Sequence, residues 1–217
     1  MRQPAVFLDR DGTLVYPRHY PSRPEELHLY EHIAPGLRKI QSAGFRLVVI
    51  TNQAGIARGY FTHDDLRLMH EYLTGELEQR GVRLDGIYHC PHHPEGVIPE
   101  LAIRCTCRKP APGMLLAAAA DLDIDLARSW LIGDILDDIE AGHRAGCRSI
   151  LVDLGTEPRP VRPLRCPDFV ARDTAHALRI IRTLEHLGAA AHLAYCPPAW
   201  GTLPRRDQSR PYVVLPG

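Results

Sequence analysis

The stretch Ala5-Val6-Phe7-Leu8-Asp9-Arg10-Asp11-Gly12-Thr13-Leu14 decides the fold. Four apolar residues in succession read as a buried strand, and two carboxylates one residue apart open a tight loop at its carboxyl end. Residues i and i+2 of a strand point the same way, so Asp9 and Asp11 can face one site. Two carboxyls held in different surroundings can divide the work of nucleophile and general acid. Taken alone, the same residues also suit an acidic turn after a core strand. What lies downstream separates the two readings.

Working outward, strands and helices alternate. After a Pro-rich flap through Pro17, Pro21 and Pro24, residues 35–43 suit a short helix ended by Gly44. Arg46-Leu47-Val48-Val49-Ile50 is the clearest second strand. The spacing predicts a long amphipathic helix over 62–79, with Thr62 as cap, Asp64 and Asp65 in the first turn, and Leu66, Met69, Leu73 and Leu77 as the apolar stripe. Gly86-Ile87-Tyr88 is a third strand candidate. Helix 112–122, strand 129–132, helix 136–145 stopped by Gly146, and strand 149–152 follow. A short strand at 168–170 and a helix at 173–187 close the series. This alternation argues for an α/β fold: a Rossmann-like three-layer sandwich with a mostly parallel central sheet, a short flap and no large cap domain. Ligands of such sheets bind at the carboxyl ends of the strands. From Gly188 the composition changes, and residues 188–217 are expected to form an irregular extension.

With 217 residues the chain can bury one sizeable core. Lys plus Arg equals Asp plus Glu at 26 each, which argues against nucleic acid or an acidic membrane as partner. There is no apolar run of membrane-spanning length and no signal-type start, so a cytoplasmic protein is expected, and a monomer. Three of the six cysteines fall within residues 90–107, a clustering that points to metal rather than to disulfides.

Each central strand ends in reactive groups. The first ends in Asp9 and Asp11, the second in Thr51-Asn52-Gln53-Ala54-Gly55, and the fourth in Gly133-Asp134 with Asp138 beyond; Arg108-Lys109-Pro110 precedes a helix. Singly, these could be caps or surface charges. Together and in this order they specify phosphoryl transfer. A phosphate monoester repels an anionic nucleophile, so the carboxylates need Mg²⁺, a hard ion that takes oxygen ligands. Asp9 and Asp134, with the backbone carbonyl of Asp11, are its expected ligands. Lys109 and the Thr51 hydroxyl are expected to hold the phosphoryl oxygens, Asp9 to attack phosphorus, and Asp11 to protonate the leaving oxygen. These residues (Asp9-x-Asp11-Gly12-Thr13, Thr51, Lys109 and Gly133-Asp134-x-x-x-Asp138) resemble the haloacid dehalogenase superfamily of phosphatases over roughly residues 4–187. The resemblance implies a Mg²⁺-dependent phosphatase domain spanning 1–187, with Asp138 supporting the metal site.

Cys90-Pro91-His92 and Cys105-Thr106-Cys107 supply the ligand set of a closed tetrahedral structural zinc site, with His93 as a competing fourth ligand and His89 a weaker one. Cys107 runs directly into Arg108 and Lys109, so the metal would lock the loop that presents both cations. Cys-Pro-His-His-Pro followed by Cys-x-Cys-Arg-Lys-Pro, together with Thr51-Asn52-Gln53-Ala54-Gly55-Ile56-Ala57-Arg58-Gly59, resembles the D-glycero-D-manno-heptose 1,7-bisphosphate 7-phosphatases. The related histidinol-phosphate phosphatases carry a shorter loop than the stretch 93–104. That resemblance implies a small sugar phosphate as substrate. It gives Arg108 a role in recognition and places Pro17, Arg18, His19 and Tyr20 of the flap, with Thr51, Asn52, Gln53 and Ala54, along the sugar site. The family commonly has Ser where this chain has Ala54, and Lys where it has Ile135.

Overall fold

A computed structural model describes residues 2–187; the extension expected at 188–217 lies outside the described residues. Six strands form one sheet: β1 (Ala5–Leu8), β2 (Arg46–Asn52), β3 (Gly86–Cys90), β4 (Trp130–Gly133), β5 (Arg148–Val152) and β6 (Phe169–Ala171). Their order is β3-β2-β1-β4-β5-β6 and every pairing is parallel, so the expected mostly parallel sheet is wholly parallel. Among the described residues four helices connect successive strands from β1 to β5, α1 (Ala34–Ser42), α2 (His63–Gln79), α3 (Gly113–Asp121) and α4 (Leu136–Ala145), and a fifth, α5 (Thr174–Leu187), follows β6.

The period-2 alternation of strand side chains divides the core in two. Val6, Leu8, Leu47, Val49 and Ile132 pack under α1, α2 and α5, whereas Phe7, Val48, Ile50 and Leu131 pack under α3 and α4. Leu66, Met69, Leu73 and Leu77 are all buried, and α2 starts where its sequence dictates. The Thr62 backbone N–H donates to the Asp65 carboxylate at 2.7 Å, and the Asp65 N–H donates back to the Thr62 hydroxyl at 3.1 Å. At the other end of the sheet sequence, Gly146 closes α4 with φ 89°, a left-handed conformation that favours glycine. The flap between β1 and α1 is held by short bridges, Tyr16 N–H to His28 O and Tyr30 N–H to Leu14 O. No described helix is long and apolar enough to cross a membrane.

One polar staple ties α4 to β5 and to the approach to β6. His143 donates from Nδ1 to the Leu164 carbonyl at 2.9 Å, while its Nε2 meets the Asp168 carboxylate at 3.0 Å and the buried Ser149 hydroxyl at 2.7 Å. Burial opposes the imidazolium, but Asp168 and Leu164 outweigh it and hold the His143 pKa above its ordinary value. A raised histidine pKa stabilises the fold fully below the unfolded-state pKa and loses that contribution as pH climbs through the folded value. Urea unfolding should therefore show the wild-type chain more stable than His143→Gln by about 1–2 kcal/mol near pH 6. The difference should shrink steadily toward about pH 9. A difference independent of pH would mean that His143 acts by packing alone.

Candidate active site

Asp9, Asp134 and Asp138 converge at the carboxyl ends of β1 and β4, their oxygens lying within 4.8 Å of one another. Lys109 enters from the loop ahead of α3 and is 1% exposed. Its Nζ donates to Asp9 Oδ1 at 2.5 Å and to the Ile50 carbonyl at 2.9 Å, and it pairs with Asp138 Oδ1 at 2.6 Å. The other oxygen of Asp138 accepts the Ile135 N–H at 3.2 Å, which fixes the carboxylate to the first turn of α4. Backbone approach here is close enough to require glycine twice. A Cβ on Gly12, whose φ is +83°, would overlap the Asp134 carboxylate, and one on Gly133 would overlap Asp138.

The electrostatics follow from that crowding. Burial, aided by the charges of Asp138 and Asp11, pushes the Asp9 carboxyl up to about 7 although Lys109 pulls it back. Burial and the charge of Asp9 push Asp134 up to about 9. Burial disfavours the Lys109 ammonium, yet Asp138 and Asp9 more than offset it and keep the ammonium protonated. With all three carboxyls ionised, the single ammonium would leave two negative charges uncompensated, which is why Asp9 and Asp134 hold their protons above the usual carboxylate range. An all-oxygen donor set with that deficit fits a hard dication such as Mg²⁺, whose charge would return Asp9 and Asp134 to their ionised forms.

The loop after β2 departs from the expected roles. Asn52 grips the Lys109 peptide from both sides: its Nδ2 donates to the Lys109 carbonyl at 3.1 Å, and its Oδ1 accepts the Lys109 N–H at 3.0 Å. Gln53 is 4% exposed and turned inward, with its Nε2 on Thr51 Oγ1 at 2.7 Å and on Asp11 Oδ2 at 3.1 Å. Both side chains spend their amide groups on the protein. Ala54 and Thr51 are buried beside them. Asp11 is half-buried and faces Arg10, a residue to which the sequence reading assigned no task.

Cys90, His92, Cys105 and Cys107 form a second, separate cluster. The sulfur pairs lie 3.2–3.5 Å apart, and His92 Nδ1 is 3.4 Å from Cys107 Sγ and 3.6 Å from Cys90 Sγ. A tetrahedron with metal–sulfur bonds of about 2.3 Å has edges of about 3.7 Å, so these four atoms surround a common centre. His93 points elsewhere, its ring against the Arg58 guanidinium at 3.3 Å, and His89 meets the ring of His70 on α2 edge-on. Burial, then Arg108, then Arg58, lower the His93 pKa, which marks two cations close to this ring. The Arg108 guanidinium also reaches the His92 carbonyl at 3.4 Å. In the flap, Pro17, Arg18 and His19 are exposed, and Tyr20, at φ 51°, packs its ring 4.7 Å from Tyr60. Tyr60 was not singled out by the sequence reading. Its position in Gly59-Tyr60-Phe61, just past the polar loop, was the available signal.

A HAD-hydrolase-like family model matches residues 106–177. A D-glycero-beta-D-manno-heptose-1,7-bisphosphate 7-phosphatase of Yersinia pestis is 45% identical over 180 residues, 82% of this chain and 95% of that protein. A D-glycero-alpha-D-manno-heptose-1,7-bisphosphate 7-phosphatase of Photorhabdus laumondii is 43% identical over 151 residues, 69% of this chain and 82% of that protein. Among solved structures, the D,D-heptose 1,7-bisphosphate phosphatase of B. bronchiseptica, complexed with magnesium and phosphate, superposes with a TM-score of 0.68. It is 30% identical and covers 83% of this chain and 98% of that one.

The charge deficit predicts a specific response to metal. Mg²⁺ at about a hundred times its dissociation constant should stabilise the folded chain by about 2.7 kcal/mol. Asp134→Asn should remove most of that gain, as read by the rise in Tm on titration. An undiminished rise in the variant would place the ion elsewhere.

Proposed function

We propose a function from one premise: this chain belongs to the D-glycero-D-manno-heptose 1,7-bisphosphate 7-phosphatase family of haloacid dehalogenase-like hydrolases. Its reaction is removal of the 7-phosphate of D-glycero-D-manno-heptose 1,7-bisphosphate, in the service of heptose biosynthesis. The support is the buried constellation of Asp9, Lys109 and Asp138 beside Asp134, placed where a phosphoryl group could meet both a nucleophile and fixed positive charge.

Asp9 is the nucleophile. One of its oxygens attacks phosphorus in line with the leaving sugar oxygen and forms an aspartyl-phosphate. Asp11 gives a proton to the departing C7 oxygen, then takes one from the water that hydrolyses the intermediate, which releases inorganic phosphate and restores Asp9. The Thr51 hydroxyl holds a phosphoryl oxygen as charge shifts onto it, and Lys109 does the same by exchanging its bond to Asp9 for one to the phosphoryl group. Asp9, Asp134 and the Asp11 carbonyl would hold Mg²⁺, which supplies charge neutralisation of the phosphoryl group.

Recognition of the rest of the substrate falls to the flap residues 17–20 and to Arg108. Ile135 brings no cation, so Arg108 is the group that answers the second phosphate. Ala54 contributes through its position in the loop. Asn52 and Gln53 serve the site from behind, through Lys109, Thr51 and Asp11, rather than by touching the sugar. The Cys90, His92, Cys105 and Cys107 cluster holds a structural Zn²⁺, because thiolates favour that ion over Mg²⁺. Burial raises the Cys90 pKa, so a thiolate there needs the cation as partner. The chain works as a cytoplasmic monomer.

Phosphate release should be fastest on a heptose 1,7-bisphosphate when both anomers and histidinol phosphate are compared at equal concentration. Asp9→Asn should lower kcat/KM on it by about 10⁴-fold or more. A preference for histidinol phosphate would move the chain to the neighbouring activity, and undiminished turnover by the variant would remove Asp9 as nucleophile. Elemental analysis of the purified chain should find about one zinc per molecule, lost on Cys107→Ser. A chain that folds without a metal at the cluster would end the zinc reading.

A further inference from the structure

Arg10 lies between the two catalytic aspartates in sequence and is 0% exposed. A guanidinium cannot shed its charge, so complete burial is offset only by the partners that its donors find. Its Nε donates to Asp11 Oδ2 at 3.0 Å and its Nη2 to Asp11 Oδ1 at 3.2 Å, a fork across both oxygens of one carboxyl. The same Nη2 reaches Gln53 Oε1 at 3.0 Å. Nη1 is buried and has no hydrogen-bond partner among the described residues, so the whole network of this side chain runs toward Asp11 and Gln53.

The contact with Gln53 has a logical consequence. Because Arg10 can only donate, the carboxamide must turn its oxygen to Arg10 and its nitrogen away. The two N–H groups then fall on Asp11 and on Thr51 Oγ1. With its oxygen accepting from Gln53, the Thr51 hydroxyl keeps its own proton for another acceptor. One buried cation thereby sets the orientation of a carboxyl directly and of a hydroxyl through one amide.

We propose that Arg10 is a positioning residue for phosphoryl transfer, holding the Asp11 carboxyl in the orientation from which it serves the leaving oxygen, with Gln53 completing the frame. At 0% exposure Arg10 has no surface open to a bound ligand, so it acts through Asp11 and Gln53. The inference rests on the phosphatase reading of the site, and it is independent of which sugar phosphate is cleaved. A side chain free to rotate would spend part of its time away from the leaving oxygen, and misplacement of a group by about 1 Å can cost about a hundredfold in rate.

The test compares leaving groups. An alkoxide needs a proton from Asp11, whereas p-nitrophenolate departs without one. Arg10→Met should lower kcat on the sugar phosphate that the wild-type chain cleaves fastest by about a hundredfold. Single-turnover release of p-nitrophenolate from p-nitrophenyl phosphate should fall at least about tenfold less. Arg10→Lys keeps the charge but cannot span two carboxylate oxygens and Gln53, so it should show the same selective loss at smaller size, and it carries the test if the Met variant does not fold. In an Asp11→Asn background, Arg10→Lys should cost little more on the sugar phosphate, because the group it positions is already gone. Equal losses on both substrates, or full additivity with Asp11→Asn, would make Arg10 a merely structural residue and overturn the proposal. Failure of the phosphatase reading itself would look different, since the wild-type chain would then release phosphate from neither compound.

Discussion

A lysine ammonium sealed among carboxylates is the constraint on which the rest of this site depends. Taking a charge out of water costs several kcal/mol, and only well-placed partners offset it. Lys109 finds them on three separate elements: Asp9 at the end of β1, the Ile50 carbonyl inside β2, and Asp138 on α4. A shift of any one by an ångström would leave a buried charge short of a partner. The Asn52 amide clamps the Lys109 peptide from both sides, so the lysine is held at its backbone as well as at its tip.

The sheet makes that convergence cheap. With the order β3-β2-β1-β4-β5-β6, chain direction reverses its march between β1 and β4, and a crevice opens there at the carboxyl ends. Asp9 and Asp134 are the residues that follow those two strands. Gly12 and Gly133 let the two loops approach until only hydrogen fits between backbone and carboxylate. Like charges pressed this close would push apart, and Lys109 removes only part of the repulsion. The remaining deficit is one that a dication matches better than a monovalent ion does.

Much of this was legible in the residues. The strands, the Leu66-to-Leu77 stripe and the bounds of α4 follow from periodicity and punctuation, signals that depend on local sequence alone. The four zinc-type ligands were legible as a set, but the choice of His92 over His93 needed geometry, since adjacent histidines differ only in where the loop turns them. The family resemblance alone placed Asn52 and Gln53 along the sugar site. Their inward turn is decided by Lys109 and Arg10, which are far from them in sequence. A charged residue gives no local sign that it will be buried. For the same reason the His143, Ser149 and Asp168 staple left no trace in any pattern.

The two ligand clusters are chemically sorted and mechanically joined. Carboxylate oxygens suit a hard ion and cysteine sulfurs a softer one, so the two ligand sets differ in kind as well as in place. Yet Cys107 lies only two residues before Lys109, and the Arg108 N–H between them donates to Cys105 Sγ at 3.4 Å. The Gly113 N–H, at the start of α3, returns to the Thr106 carbonyl at 2.9 Å and closes the loop from the other side. Anything that loosens the thiolate cluster must therefore reach the buried ammonium within two peptide bonds. The Cys/His cluster is thus joined to the buried ammonium through the backbone that carries Lys109, even though no described sulfur contacts the three carboxylates.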